Sequence, residues 1–208
     1  MYIEVIRTKK IEPEYFSESE LREMEKLADG KKSGWLASRL AVKKAIQKYF
    51  RETKKKTIAF DEIEIISRKF SRPIFKIRGK EIKNVAISLS HSNGTGAGAV
   101  GAGKLVGVDI EQKRIFSREF KQNFLTQQEL QWLKKFPKYK NNEMATLFWC
   151  IKESYLKAIG AGLRKHPKEV EVKMDRNNKT VIFDKEIKTR AKVIRETNKN
   201  YSLAAVTI

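Results

Sequence analysis

The sequence predicts a mixed fold of helices and strands in which each half runs from helix to strand. Three observations predict it. Apolar residues recur at helical spacing in two long stretches, 33–51 and 142–159. Runs rich in β-branched residues and bounded by turn residues follow each stretch. A chain of 208 residues suits one large domain or two small ones. The repeated order suggests two similar subdomains side by side, 1–104 and 105–208, although no residue-level repeat accompanies it.

The elements follow in order. Ser17-Glu-Ser-Glu20 is a capping box and starts the first helix. The second helix covers 33–51, and Lys54-Lys55-Lys56 leaves it as a loop. Strands are expected at 62–67, 86–90 and 96–102, with Ser92-Asn93-Gly94 turning between the last two. Another strand is expected at 105–111. Helical segments are expected near 117–124, 126–136 and 142–159, the last ended by Gly160 or Gly162. Strand-like runs at 170–174, 180–183 with 188–194, and 201–208 finish the chain. Gly96-Ala-Gly98-Ala-Val-Gly101 matches a dinucleotide fingerprint. That fingerprint needs a helix opening within it, and here another strand-like run follows. Small residues in a tightly packed strand pair are the better reading.

Composition narrows the function classes. Apolar residues make up 40% and aromatics 10%, enough for a packed core. No stretch of about 18 apolar residues is present, so no membrane-spanning helix is expected. The first residues lack the apolar segment of a signal peptide. Cys150 is the single cysteine, which excludes an intramolecular disulfide, and a cytoplasmic location is expected. Lys and Arg number 45 against 25 Asp and Glu, a formal net charge of +20. Such a field attracts anionic partners without choosing among them.

Chemistry concentrates in four places. In Gly107-Val108-Asp109-Ile110-Glu111, strand alternation sends Val106, Val108 and Ile110 to one face and Gly107, Asp109 and Glu111 to the other. Two carboxylates then share a face with a glycine that admits a ligand closely. At ~4 Å such charges repel by about 4 kcal/mol at an effective dielectric of 20. A cation removes that cost, and carboxylate oxygens suit Mg²⁺ or Mn²⁺ beside phosphates. A solvated strand edge is the alternative.

The helix at 142–159 is apolar around most of its circumference, through Met144, Leu147, Phe148, Ile151, Tyr155, Leu156, Ala158 and Ile159. One narrow polar seam remains: Asn142, Thr146, Glu153 and Lys157. Glu153 and Lys157 stand at i,i+4 in the order that favours an ion pair. A third carboxylate for the same cation, beside a lysine for phosphate, explains a polar seam with apolar flanks better. Lys152 falls elsewhere on the wheel and receives no role. In the helix at 33–51, Arg39 and Lys43 interrupt the apolar face, either snorkelling outward or reaching an anionic ligand. Residues 31–56 carry ten basic side chains and one acidic one, which favours phosphate. Ser88-Leu-Ser90-His91-Ser92 offers hydroxyls, an imidazole and backbone N–H groups to phosphate oxygens. Glu129 is accounted for by a capping box with Thr126. His166 has no partner motif, and Cys150 reads as core.

In this order, Ser-His-Ser, Gly-Val-Asp-Ile-Glu and Trp-x-x-Lys-Glu-Ser-x-x-Lys, the chain resembles the 4′-phosphopantetheinyl transferases over roughly residues 33–165. Its length resembles the larger single-chain type, which activates nonribosomal peptide and polyketide synthases. The resemblance implies an α+β fold of two similar subdomains with pseudo-twofold symmetry, the site in the cleft between them, and a monomer. It implies coenzyme A as substrate, Mg²⁺ (or Mn²⁺) as cofactor, and an acidic acyl or peptidyl carrier protein as acceptor. Asp109, Glu111 and Glu153 correspond to its metal ligands. Lys157 corresponds to its pyrophosphate lysine, and Glu153 or a metal-held water to its base. Ser90 and His91 correspond to phosphate contacts, and Arg39 and Lys43 to 3′-phosphate contacts. Ser71-Arg72-Pro73 resembles the family's Gly-Lys-Pro adenine contact, with Ser for Gly and Arg for Lys. Two rival readings are a metal-dependent phosphohydrolase or nuclease on the same carboxylates, and a basic nucleic-acid-binding module. The absence of an aromatic and basic reader motif weighs against the second.

Overall fold

The computed structural model describes residues 1–7, 12–67, 71–174, 180–184, 186 and 191–208. Strand β1 (Tyr2–Arg7) precedes helix α1 (Glu18–Glu25), whose first turn is closed by the expected capping box of Ser17 and Glu20. Helix α2 (Asp29–Lys54) extends beyond its predicted bounds at both ends and stops where Lys55 turns left-handed at φ 54°. Strands β2 (Ile63–Ile66), β3 (Ile74–Ile77) and β4 (Lys80–Glu81) form a small sheet, and β5 (Val85–Ser92) and β6 (Thr95–Ala102) form a hairpin. Asn93 and Gly94 both take positive φ, 45° and 71°, as a two-residue hairpin turn requires. The second half runs β7 (Val106–Gln112), α3 (Arg118–Phe124), α4 (Gln127–Leu133), α5 (Lys138–Ile159), β8 (Val170–Met174), β9 (Thr180–Asp184), β10 (Lys192–Thr197) and β11 (Tyr201–Thr207).

Sequence pattern alone misses β1, β3 and β4. Along β1 no residue is fully buried, so its sequence lacks a clean two-residue alternation. The strand expected at 188–194 begins at Lys192; residues 187–190 lie outside the described set. Gly160, at φ 71°, ends α5. Among the described residues no helix is long and apolar enough to cross a membrane.

Two antiparallel sheets organise the core, in the orders β1-β6-β5 and β7-β11-β10. Helix α2 packs on the first through Val42, Ala45 and Ile46 against Ile87 and Val100. Helix α5 packs on the second through Leu147, Ile151 and Tyr155 against Ala204 and Val206. The sheets meet through Ala97, Ala99, Val106, Val108, Ile110, Leu203 and Ala205. The glycine fingerprint lies on β6, as the context argument requires. Its close neighbour is α2 rather than a paired strand: a Cβ at Gly98 would stand 2.1 Å from the Val42 amide nitrogen.

One polar pattern occurs in both halves. Lys43 of α2 is completely buried and donates to Glu20 at 2.7 Å and to the carbonyls of Tyr15 (2.8 Å) and Phe60 (3.1 Å). Lys152 of α5 is equally buried. It pairs with Glu129 at 2.7 Å and donates to the carbonyls of Phe124 (2.8 Å) and Pro167 (3.1 Å). Each glutamate closes a capping box, with Ser17 or Thr126, and also accepts a backbone N–H, from Ile65 or Val172. From 20 to 129 and from 43 to 152 the displacement along the chain is the same. Each ammonium spends its three protons inside the protein, which is what makes its burial tolerable.

Candidate active site

The carboxylates of β7 face α5, because strand alternation sends Val108 and Ile110 into the intersheet core instead. Gly107 shares the carboxylate face for a reason other than ligand access. A Cβ there would stand 1.8 Å from the Ser154 carbonyl oxygen, so the missing side chain lets α5 close onto β7. That approach brings Lys157 of α5 against Asp109. Lys157 Nζ donates to Asp109 Oδ1 at 2.6 Å and to the Val108 carbonyl at 3.1 Å. Ser90 of β5 donates to the same Oδ1 at 2.7 Å. The other oxygen, Oδ2, is buried and has no hydrogen-bond partner among the described residues.

Glu111 and Glu153 complete the group. Burial raises the carboxyl of Glu111 above its ordinary range, and the charge of Asp109 adds to that; a hydrogen bond from Ser92 at 2.9 Å opposes it. Burial likewise raises the carboxyl of Glu153, with Asp109 adding and Lys157 opposing. Lys157 thus bonds Asp109 rather than forming the simple i,i+4 pair with Glu153. His91 is exposed as a residue, but its ring packs against α2, where a Cβ at Gly34 would reach it at 2.6 Å. Desolvation, then Lys157 and Arg39, hold its imidazole below the ordinary range. Among the described residues no three His, Cys, Asp or Glu side chains form a ready-made metal cage. The unpartnered Asp109 oxygen and its two carboxylate neighbours still fit a hard cation that keeps most of its waters.

Lys157 also lines a cleft of ≈ 340 Å³ with Arg72, Arg164, Pro73, Ile87, Leu89 and Val106 among its walls. Arg72 packs on the C-terminus of α5, where a Cβ at Gly160 would stand 3.0 Å from its guanidinium. Arg164 donates to the Gly160 carbonyl at 2.6 Å. The cleft therefore joins apolar walls to three cations, beside the carboxylates.

Residues 105–206 match the family model of the 4′-phosphopantetheinyl transferase superfamily. That span holds all three carboxylates and Lys157. Solved structures offer more distant likenesses. A holo-(acyl-carrier-protein) synthase from Bacillus anthracis, in complex with CoA (3′,5′-ADP), is 21% identical over 50% of this chain and 95% of its own, with a TM-score of 0.46. The holo-[acyl-carrier-protein] synthase of Helicobacter pylori in complex with coenzyme A is 18% identical over 49% and 96%, with a TM-score of 0.41. That of Neisseria meningitidis is 20% identical over 49% and 94%, with a TM-score of 0.41. No curated protein matches the chain.

The remaining residues that resemble phosphopantetheinyl transferase positions divide. Lys43 does not reach the site: its ammonium is fully buried with three internal acceptors, so no donor is left for a 3′-phosphate. Arg39 is 2% exposed, stacks on Trp35 at 3.5 Å and donates to Glu23 at 2.9 Å. Its Nε has no hydrogen-bond partner among the described residues. Glu129 does more than cap a helix, since its carboxylate also holds Lys152. His166 accepts the Lys168 N–H and starts a short helical turn. Cys150 is core. Sequence reasoning missed Arg164, which reads as an ordinary exposed arginine after a helix. It also missed the roles of Lys152 and Ser92.

Proposed function

We propose that this protein transfers the 4′-phosphopantetheine arm of coenzyme A to a serine of an apo carrier protein, releasing 3′,5′-ADP. The observation that carries the reading is Asp109. One of its buried oxygens is held by Lys157 and Ser90, the other is unpartnered, and Glu111 and Glu153 stand beside it at the edge of a cationic cleft. The family match over residues 105–206 supports it. The chain is read as two subdomains, 1–104 and 105–208, of the larger single-chain type and acting as a monomer. Asp109, Glu111 and Glu153 would hold Mg²⁺, or Mn²⁺. When bound, that ion would neutralise charge on the pyrophosphate.

Lys157, Arg72 and Arg164 receive the nucleotide end in the cleft, His91 contacts phosphate, and Arg39 serves the 3′-phosphate by exchanging Glu23 for it. The carrier serine oxygen forms a bond to the β-phosphorus. The bond from that phosphorus to the bridging oxygen breaks, and its electron pair leaves with 3′,5′-ADP. Glu153 takes the serine proton. Lys157 stabilises charge on the departing phosphate. The net charge of +20 favours an acidic carrier surface.

The test is intact-mass measurement of apo carrier proteins incubated with this protein, coenzyme A and Mg²⁺. A gain of one phosphopantetheine mass is expected. Breakdown of coenzyme A without any carrier modification would replace this reading with a phosphohydrolase.

A further inference from the structure

Strand β5 runs beside β7, yet the two belong to different sheets. Serine hydroxyls at every second position of β5 bridge them. Ser88 Oγ accepts the Val108 N–H at 3.0 Å. Ser90 Oγ donates to Asp109 Oδ1 at 2.7 Å. Ser92 Oγ accepts the Gln112 N–H at 3.0 Å and donates to Glu111 Oε2 at 2.9 Å. The Gln112 N–H occupies a lone pair of Ser92, so the single hydroxyl proton is aimed at Glu111. The proton of Ser90 is likewise committed to Asp109, which leaves it no donor for a phosphate oxygen while Asp109 is ionised.

We propose that Ser90 and Ser92 are positioning residues for the metal carboxylates. Each hydroxyl fixes one oxygen of a β7 carboxylate and so sets the orientation in which that carboxylate meets the cation. The proposal rests on the reading of Asp109 and Glu111 as ligands of a divalent cation. It differs from the family resemblance, in which Ser90 contacts coenzyme A directly. Ordering a carboxylate from a neighbouring strand matters because free rotation of Glu111 would have to be frozen at each binding event.

The experiment measures Mn²⁺ binding by electron paramagnetic resonance, on the full chain with coenzyme A present, for the unsubstituted protein, Ser92→Val and Ser92→Thr. Val and Thr share shape and strand preference, and only Thr keeps the hydroxyl. Ser92→Val should bind Mn²⁺ about tenfold more weakly, the loss expected of one hydrogen bond to a charged group. Ser92→Thr should restore binding. Transfer by Ser92→Val should recover as Mg²⁺ is raised, with KM for coenzyme A unchanged at saturating Mg²⁺; a merely structural role would not respond to the ion. Equal Mn²⁺ affinity in Ser92→Val and the unsubstituted protein would overturn the positioning role alone. Failure of the unsubstituted protein to bind Mn²⁺ would overturn the metal reading and this proposal with it. If Ser92→Val does not fold, Ser90→Ala carries the same measurement through Asp109.

Discussion

The two halves of the chain build the same support and use it differently. In each, a strand carboxylate reaches a lysine on the long helix: Glu4 to Lys48 at 3.4 Å, and Asp109 to Lys157 at 2.6 Å. In each, a buried lysine one turn or so earlier on that helix anchors a helix-capping glutamate. The surroundings then diverge. Two residues beyond the strand carboxylate stands Ile6 in one half and Glu111 in the other. Four residues before the helix lysine stands Lys44 in one half and Glu153 in the other. The first pair is left open to solvent, with 43% and 30% of its side chains exposed; Asp109 is only 7% exposed. A shared scaffold does not carry chemistry by itself. Burial and added carboxylates convert an ordinary ion pair into a candidate site.

The sharpest way to break this comparison is to remove the carboxylates that only one half has. Asp109→Ala or Glu153→Ala should lower kcat/KM for carrier modification at least about a hundredfold, the scale of losing one preorganised electrostatic group. Glu4→Ala should leave transfer unchanged. Intact-mass time courses at saturating Mg²⁺ measure all three. Full turnover by either site variant would remove the chemical distinction between the halves.

The buried lysines should instead behave alike. Lys152→Met leaves buried Glu129 without its cation, and Lys43→Met leaves Glu20 only the more distant Arg39 Nε at 3.9 Å; each should cost up to about 3–5 kcal/mol. At about 2–4 °C per kcal/mol for a chain of this size, the melting temperature should fall by roughly 6–20 °C. Burial pulls both ammonium groups below their ordinary range, and the paired glutamates oppose it, so each lysine depends on its partner. A large loss for one variant and none for the other, in thermal or urea unfolding, would show that only one half relies on its latch.

A third expected effect is acid sensitivity at the carboxylate of a half-buried residue of the second half, Asp184. Burial would raise the Asp184 carboxyl, but hydrogen bonds from Lys165, the Glu186 N–H and Tyr155 outweigh it and hold the group below its ordinary range. Stability from an aspartate held ionised is complete above the unfolded value of ~3.9 and is lost as pH falls through the lower folded value. Asp184→Asn should therefore be less stable than the unsubstituted protein at neutral pH, by about 1.5–3 kcal/mol for a charged hydrogen bond. That gap should narrow below roughly pH 4. Unfolding curves across this range check it, and a gap independent of pH would reject the linkage.

Some of this was legible in the sequence because the relevant periods are short. Alternation over residues 106–111 put Asp109 and Glu111 on one face, and a helical wheel put Glu153 and Lys157 in one seam. Lys43 and Arg39 stand out in the sequence as intruders in an apolar face, and both are buried. Their partners were not legible, because the acceptors are Glu20, Glu23 and two backbone carbonyls from distant segments, which no local pattern encodes. The hydroxyl bridge depends on β5 lying beside β7, and Gly107 on the approach of α5. Both are tertiary facts.

The smallest expected effect is the most demanding check on the comparison. Lys48 and Lys157 hold corresponding places, but the Glu4–Lys48 pair is long and solvated. Exposed pairs of this kind are worth about 0–1 kcal/mol, because water already solvates both charges and salt screens what remains. Lys48→Ala should change unfolding free energy by less than about 1 kcal/mol and leave transfer intact. Lys157→Ala removes a donor to the buried Asp109 and should abolish most transfer. Raising salt from ~0.1 M to ~1 M shortens the Debye length from about 10 Å to about 3 Å. It should therefore erase any stability difference between Lys48→Ala and the unsubstituted protein. A loss of transfer in Lys48→Ala, or a stability cost well above 1 kcal/mol that survives high salt, would mean that the first half's lysine is more than a solvated counterpart. The contrast between the halves would then have to be redrawn around it.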